Sequence, residues 1–399
     1  MKTKFKLLIG IFISYAIAGC SNEELNLEAK QFFSSESATE ISIDDVATNN
    51  INGEAKTYYS LLKTAIFATD SNLPHTRNVV PDNDQENPLI EKLEDIAISD
   101  EDGNPISFFS LEEKQQMEFL DEWVVLEADA MSEKLNINPE LRDYVKEQNE
   151  IIGQVLQEET AQTRSGDYKV KNNNLFFQKI RERMNAKAKS YNSDASPNTR
   201  IGISGVTKVP THTLKIELQR HARPGDFILA LPVHNRPWIF LTAGSTPFNV
   251  GHSSVITDEV TTSHSDDFRF ALGAQTGNGV TKERLSYWNV RCFLMGIQKV
   301  SWKWKWRGFK SRLYKVTQPV SNPSALAQRA ETYRGREYVK WYEFLTAKWA
   351  APSRFTCTTL ILYCAKKEYG INVSSWWATM LSPSGLYLDS STYIRKEIR

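Results

Sequence analysis

From about residue 206 the pattern of apolar residues changes in a way that restricts the fold. Apolar runs of strand length stand at Leu214–Leu218, Phe227–Leu231, Trp238–Leu241, Val250–Ile256, Phe268–Leu272 and Phe293–Lys299, with Gly, Pro, Asn or Asp at several of the joins. Short runs bounded by turn residues read as strands. Two helical stretches follow, from Pro323 to about Tyr333 and from about Arg354 to Tyr369. Strands first and helices afterwards predict an α+β domain with an antiparallel sheet rather than a doubly wound one. Before the change, Leu111–Leu126 and Leu141–Leu156 carry helical spacing, interrupted by Asn136-Ile137-Asn138-Pro139. Asp44 and Ser99–Asp102 read as cap and turn residues.

Charge divides the chain at the same place. The 399 residues carry 48 basic and 48 acidic side chains. Residues 21–165 hold 32 acidic and 10 basic groups, and residues 166–399 hold 16 and 35. The expectation is a mainly helical acidic module over residues 57–159, a linker over 160–205 and a basic α+β domain over 206–399. Residues 20–56, polar and rich in Ser, Asn and Glu, read as a flexible tether. Opposite charges of this size predict that the acidic module docks near Trp302–Arg307 and restricts the cleft until substrate or an envelope partner displaces it, a contact that high salt would screen; the alternative is that each charge excess is a solvated face.

The first nineteen residues read as a signal peptide. Lys2, Lys4 and Lys6 precede an apolar stretch from Leu7 to Ala18 that is too short to span a bilayer. Ala18-Gly19-Cys20 then resembles the lipobox of bacterial lipoproteins, which implies lipidation at Cys20 and a membrane anchor there. Ser21 after the cysteine implies the outer membrane by the same resemblance, facing the periplasm or the cell surface. Three further cysteines remain, Cys292, Cys357 and Cys364. Cys357 and Cys364 are seven residues apart on one predicted helix, about 10 Å of rise, which is too far for a disulfide. At least one thiol of an exported protein is therefore unpaired.

Cys357 is the thiol with chemistry around it. Pro352, Ser353 and Thr356 are helix-start residues, so Cys357 falls in the first turn of an apolar helix. The partial positive charge there favours a thiolate. A cysteine nucleophile needs a base, and His252 opens a short strand after Gly251. The Gly225-Asp226 turn precedes that strand. Ala271–Gln275, Gly279-Val280, Leu285 and Trp288 follow it, and Ala330, Gly335 and Tyr338 precede the cysteine helix. This order resembles the circularly permuted papain-like hydrolases, the YiiX/YaeF-like branch of the NlpC-type cysteine peptidase superfamily. In that branch a Gly-Asp turn comes first, then the histidine strand, and the cysteine helix closes the domain. The resemblance spans roughly residues 206–392 and implies Cys357 as nucleophile and His252 as base.

The third member departs from the family's pattern. The strand after the histidine strand, Phe268–Ala274, contains no acid. Gln275 is the preferred partner for the imidazole, with His264 as the alternative. Trp302-Lys303-Trp304-Lys305-Trp306-Arg307 alternates strictly. It reads either as a strand with its tryptophans in the core or as an aromatic and cationic wall binding substrate through Trp302, Trp304 and Trp306, with Tyr338 beside it. No metal-ligand spacing and no phosphate loop occur, so no metal or cofactor is expected. The expected activity is hydrolysis of an amide, in a peptidoglycan stem peptide or another envelope substrate. An N-acyl lipid amidase or acyltransferase is one alternative, and a non-catalytic envelope binding protein another. Nucleic acid is not an expected partner.

Overall fold

The computed structural model describes residues 39–42, 95–139, 141–162, 168–170, 208–231, 251–275, 277–307, 310–339, 351–373 and 382–399, with single positions and short stretches between them, Leu93 and residues 178–180 among these. Cys20, the signal peptide, most of the tether and the strand expected at Trp238–Leu241 lie outside the described residues. In chain order the elements are β1 (Thr39–Ser42), β2 (Ala97–Ser99), β3 (Pro105–Ile106), α1 (Glu113–Ile137), α2 (Leu141–Glu159), β4 (Thr160–Gln162) and β5 (Tyr168–Val170). Then come α3 (Thr211–His221), β6 (Phe227–Ala230), β7 (His252–Ile256), β8 (Arg269–Gln275), β9 (Gly279–Arg284), β10 (Cys292–Arg307) and β11 (Lys310–Pro319). The chain closes with α4 (Ser324–Glu331), β12 (Glu337–Tyr338), β13 (Arg354–Phe355), α5 (Cys357–Tyr369), α6 (Pro383–Leu388) and β14 (Thr392–Ile398). The class is α+β with a mainly antiparallel sheet.

β10 organises that sheet. Its first half pairs antiparallel with β14 on one side and β6 on the other, and the sheet continues β6-β7-β8-β9, antiparallel throughout. Its second half pairs antiparallel with β11 and parallel with β2. One strand of 16 residues thus joins the part of the sheet that carries His252 to the part that the N-terminal helices cover.

One run expected as a strand is a helix. In Thr211–His221 the apolar residues 214, 216 and 218 alternate, yet Leu214 and Leu218 also stand one helical turn apart, and it is these two that are buried against Trp288 and Leu285. Pro210 occupies the N-cap. Period two and the i, i+4 spacing coincide over so short a run, so alternation alone does not discriminate.

The acidic helices do not form a separate module. From Glu40 to Arg399 the chain clusters as one unit, and one core runs from Leu93, Phe119, Trp123 and Met131 through Trp302 and Trp304 to Leu360 and Tyr387. The expected linker opens with the antiparallel pair β4–β5, and Ile180 is buried. α1 starts with a capping box, Glu112 N–H donating to Gln115 Oε1 at 3.1 Å, and ends at Asn138, before Pro139. Its Phe119 ring stacks on Trp304 with centroids 5.1 Å apart, and Trp123 meets Trp302 edge-on at 6.4 Å.

Trp302 and Trp304 are therefore core residues and not a substrate wall. Each is at most 5% exposed, and burying a tryptophan contributes on the order of 4 kcal/mol at ~25 cal/mol per Å². The Trp306 side chain lies outside the described residues. Polar groups stitch the same seam. The Leu313 N–H donates to Glu122, Ser390 Oγ donates to Glu127 at 2.9 Å, and Lys134 Nζ donates to the Thr392 carbonyl at 2.7 Å and to the Asp389 carbonyl. Burial lowers the Lys134 pKa to about 7, and the amine bridges the C-cap of α6 at Asp389 and the start of β14 at Thr392.

Candidate active site

Cys357 is the first residue of α5, and the local sequence fixes it there. Thr356 is the N-cap. Its Oγ1 accepts from the Thr359 N–H at 3.1 Å, and Thr359 Oγ1 accepts from the Thr356 N–H at 2.7 Å. This reciprocal cap uses the N–H groups of the first and fourth positions. Those of Cys357 and Thr358, between them, have no i−4 acceptor within the helix. Gly370, with φ of 67°, ends the helix in the left-handed conformation. β12 and β13 pair in parallel just ahead of it, so Tyr338 lies opposite Phe355, two residues before Cys357, and is half-buried.

His252 begins β7. The Gly225-Asp226 turn sets that strand. The Gly225 N–H donates to the Ile256 carbonyl, and the Ile256 N–H donates to the Asp226 carbonyl, both at 2.8 Å. Gly225 has φ of 95°, and a Cβ there would lie 1.6 Å from the Pro323 carbonyl oxygen at the start of α4. Asp226 is buried, accepts from the Arg223 N–H at 2.9 Å and pairs with Arg395 of β14 at 2.8 Å. Its role is to lock the turn to the sheet.

The imidazole bridges two groups. Nε2 donates to Glu283 Oε1 at 2.7 Å, and the ring lies close enough to the Cys357 thiol for each to shift the other's ionisation. With Nε2 engaged by the carboxylate, the nitrogen left for the thiol is Nδ1. Trp288 stacks against the ring at 5.5 Å between centroids.

The group against the imidazole is Glu283, which was not anticipated. It lies on β9, two strands from β7, and is fully buried. Its Oε1 accepts from His252 Nε2 and from Gln275 Nε2, each at 2.7 Å. Its Oε2 accepts from Ser254 Oγ at 2.7 Å and from Trp288 Nε1 at 3.1 Å. Four donors satisfy a carboxylate that would otherwise be costly to bury. Gln275 therefore holds the carboxylate and is not itself the acceptor for the imidazole. His264 is elsewhere: its Nδ1 accepts from the Thr261 N–H at 3.1 Å and its ring stacks on Phe268 at 3.6 Å.

Glu283 reaches His252 because the strand between them is bare. A Cβ on Gly273 of β8 would lie 2.2 Å from Ser254 Oγ and 2.4 Å from Glu283 Oε1. A lone glycine inside a strand marks a close approach of this kind, and it was the available signal for an acid arriving from the next strand.

The electrostatics couple the three groups. Burial alone would lower the His252 pKa, but the Glu283 charge and the hydrogen bonds to Cys357 and Glu283 outweigh it and raise the value to about 10. Burial would raise the Cys357 thiol, but the bond to and charge of His252 bring it below its ordinary value. Glu283 is likewise held down by His252 and its other donors against the effect of burial. The three shifts all favour the charged forms, thiolate, imidazolium and carboxylate. The other two thiols go the opposite way: burial pushes Cys292 up strongly and Cys364 up to about 12. No family model, no curated protein and no solved structure matches the chain.

Proposed function

We propose that the protein is a cysteine hydrolase of the permuted papain-like kind, anchored to the envelope through a lipid on Cys20, that cleaves an amide bond in a peptidoglycan stem peptide. The observation that carries this reading is the row Cys357, His252, Glu283, with the thiol at a helix N-terminus and the carboxylate caged by four donors. The chain order of Gly-Asp turn, histidine strand and cysteine helix supports the permuted reading. The excess of basic groups after residue 166 suits the carboxylates of stem peptides.

The chemistry follows from the geometry. The Cys357 thiolate attacks the amide carbonyl carbon. The oxyanion faces the free N–H groups of Cys357 and Thr358 at the start of α5. The C–N bond breaks as His252 gives its Nδ1 proton to the leaving amine, and a thioester remains on Cys357. Water, deprotonated by the same nitrogen, attacks the thioester, releases the acid and returns the thiolate. Glu283 keeps the imidazole oriented and its charge balanced throughout.

The test is product analysis by mass spectrometry after incubation with purified stem peptides, and in parallel with N-acyl lipid amides and simple N-acyl amines. Cleavage of the peptides that disappears in Cys357→Ala supports the proposal. Turnover of the lipid amides alone moves the substrate class. No cleavage of any amide, together with Cys357 labelling no faster than that of a free thiol, removes the enzymatic reading. Cys20→Ala should yield protein that stays in solution after cell fractionation; retention in the membrane would remove the anchor.

A further inference from the structure

One hydroxyl beside the nucleophile has no use in the arrangement described above. Side chains alternate along β7, so His252, Ser254 and Ile256 face one side and Ser253 and Val255 the other. The core clusters follow that division, with Ile256 packed alongside Trp288, and Val255 in the cluster of Leu360 and Ile361 of α5. Ser253 is thus turned to the side of the cysteine helix. It is fully buried, and its Oγ has no hydrogen-bond partner among the described residues.

The neighbouring hydroxyls are all engaged. Ser254 donates to Glu283, and Thr356 and Thr359 close the helix cap. Thr358 Oγ1 lies 3.8 Å from the Cys357 sulfur. A buried hydroxyl without a partner bears its full desolvation penalty, and alanine at this position would avoid it. The penalty is offset only if an acceptor is present in the working state. The helix that Cys357 opens packs on the strand that carries Ser253, the hydroxyl is close enough to favour the ionised thiol, and a thiolate is a stronger acceptor than the neutral thiol.

We propose that Ser253 is a positioning residue for the nucleophile: its Oγ–H donates to the Cys357 thiolate, from the side opposite His252, and holds the sulfur in one rotamer for attack. The proposal rests on the hydrolase reading, since it requires that Cys357 ionise against His252. No proton leaves Ser253; the thiol proton goes to His252 Nδ1. Because the bond is made to the anion, it moves the thiol's ionisation to lower pH.

The experiment measures the rate of Cys357 alkylation by iodoacetamide from pH 4.5 to 9, by peptide mass spectrometry, in otherwise unaltered protein. Ser253→Ala should displace the lower limb of the profile upward by about one pH unit, making labelling about tenfold slower on that limb. Ser253→Thr, which keeps the hydroxyl, should restore the lower limb. A Ser253→Ala profile that superimposes on the native one overturns the proposal and leaves the hydrolase reading intact, provided His252→Ala still abolishes the fast labelling. Native labelling that is slow below pH 8 and indifferent to His252→Ala overturns both.

Discussion

Glu283 and His252 are 31 residues apart and lie on strands that are not neighbours, yet Oε1 and Nε2 meet at 2.7 Å. They meet over Gly273, the one residue of β8 without a side chain at the crossing point. The sheet therefore brings a carboxylate to the imidazole across a strand, and the width of one missing methyl group decides whether it arrives.

Gly273→Ala tests this directly. A Cβ 2.2 Å from Ser254 Oγ and 2.4 Å from Glu283 Oε1 cannot be accommodated without moving both. Overpacking of this kind costs about 1–3 kcal/mol, so the protein should remain folded. Cys357 alkylation at pH 6 should nevertheless fall at least tenfold, because the His252 orientation is lost. Native labelling rates in Gly273→Ala would show that Glu283 is not the orienting group.

Glu283→Gln keeps most of the volume and removes the charge. The charge and bond that raise the His252 pKa are weakened, so the histidine falls back toward its ordinary range and less imidazolium is present at neutral pH to hold the thiolate. Amide cleavage should fall by roughly two to four orders of magnitude, as expected where the orienting carboxylate of a nucleophile–histidine pair is neutralised. Gln275→Ala, which removes one of four donors to the carboxylate, should fall much less, by about tenfold. Equal losses in the two variants would return Gln275 to the role of direct partner.

How much of this was readable follows physical range. Cys357 at a helix start and His252 at a strand start are local statements, made by Thr356 and Gly251 and by the order of elements, and the structure places both residues where those signals point. Glu283 is a statement about pairing between strands. Nothing within a few residues of it marks it as buried, and Gly273 hints at a close approach without saying by what. Trp302 and Trp304 carried both of their meanings in the same alternation. The decision came from Phe119 and Trp123, some 180 residues earlier, which supply the apolar partner. Leu214–Leu218 failed for a simpler reason, the coincidence of two periods over five residues.

The pH dependence of stability separates the coupled pair from its parts. His252, with its folded value raised to about 10 from 6.5, stabilises fully below the unfolded value and loses that contribution as pH rises through about 10. Cys357, lowered from 9.0, contributes above its unfolded value and loses its share as pH falls through the folded one. Where the folded thiol is ionised while the histidine keeps its proton, folded and unfolded chains bind the same number of protons between the unfolded values of 6.5 and 9.0, so the two effects cancel and stability should be flat there. Cys357→Ser removes one side of the balance. The variant should lose stability from pH 6.5 upward, until the histidine's own folded value is passed, by at most about 1.4 kcal/mol per pH unit. Urea midpoints at pH 6.5 and 8.5 decide it: the same small change in both proteins would mean that the thiol and imidazole do not share a proton.

The last prediction concerns the acidic helices. Their charge suggested an electrostatic dock that salt would loosen, but the seam is built from Phe119 and Trp123 against Trp302 and Trp304, with Lys134 capping carbonyls on the far side. Apolar burial is not screened, so 1 M NaCl should leave the radius of gyration and the Cys357 labelling rate unchanged. Phe119→Ala should instead cost about 3–5 kcal/mol, the usual penalty for emptying an aromatic site. Because β10 runs from that seam to the strands beside His252, the loss should appear as a single earlier transition in which Trp fluorescence and protection of Cys364 disappear together. A fragment starting at Ile201 would expose both tryptophans and should fail to fold cooperatively. If that fragment folds and labels Cys357 at the native rate, or if the two probes separate in Phe119→Ala, then the helices and the strands around His252 are independent after all.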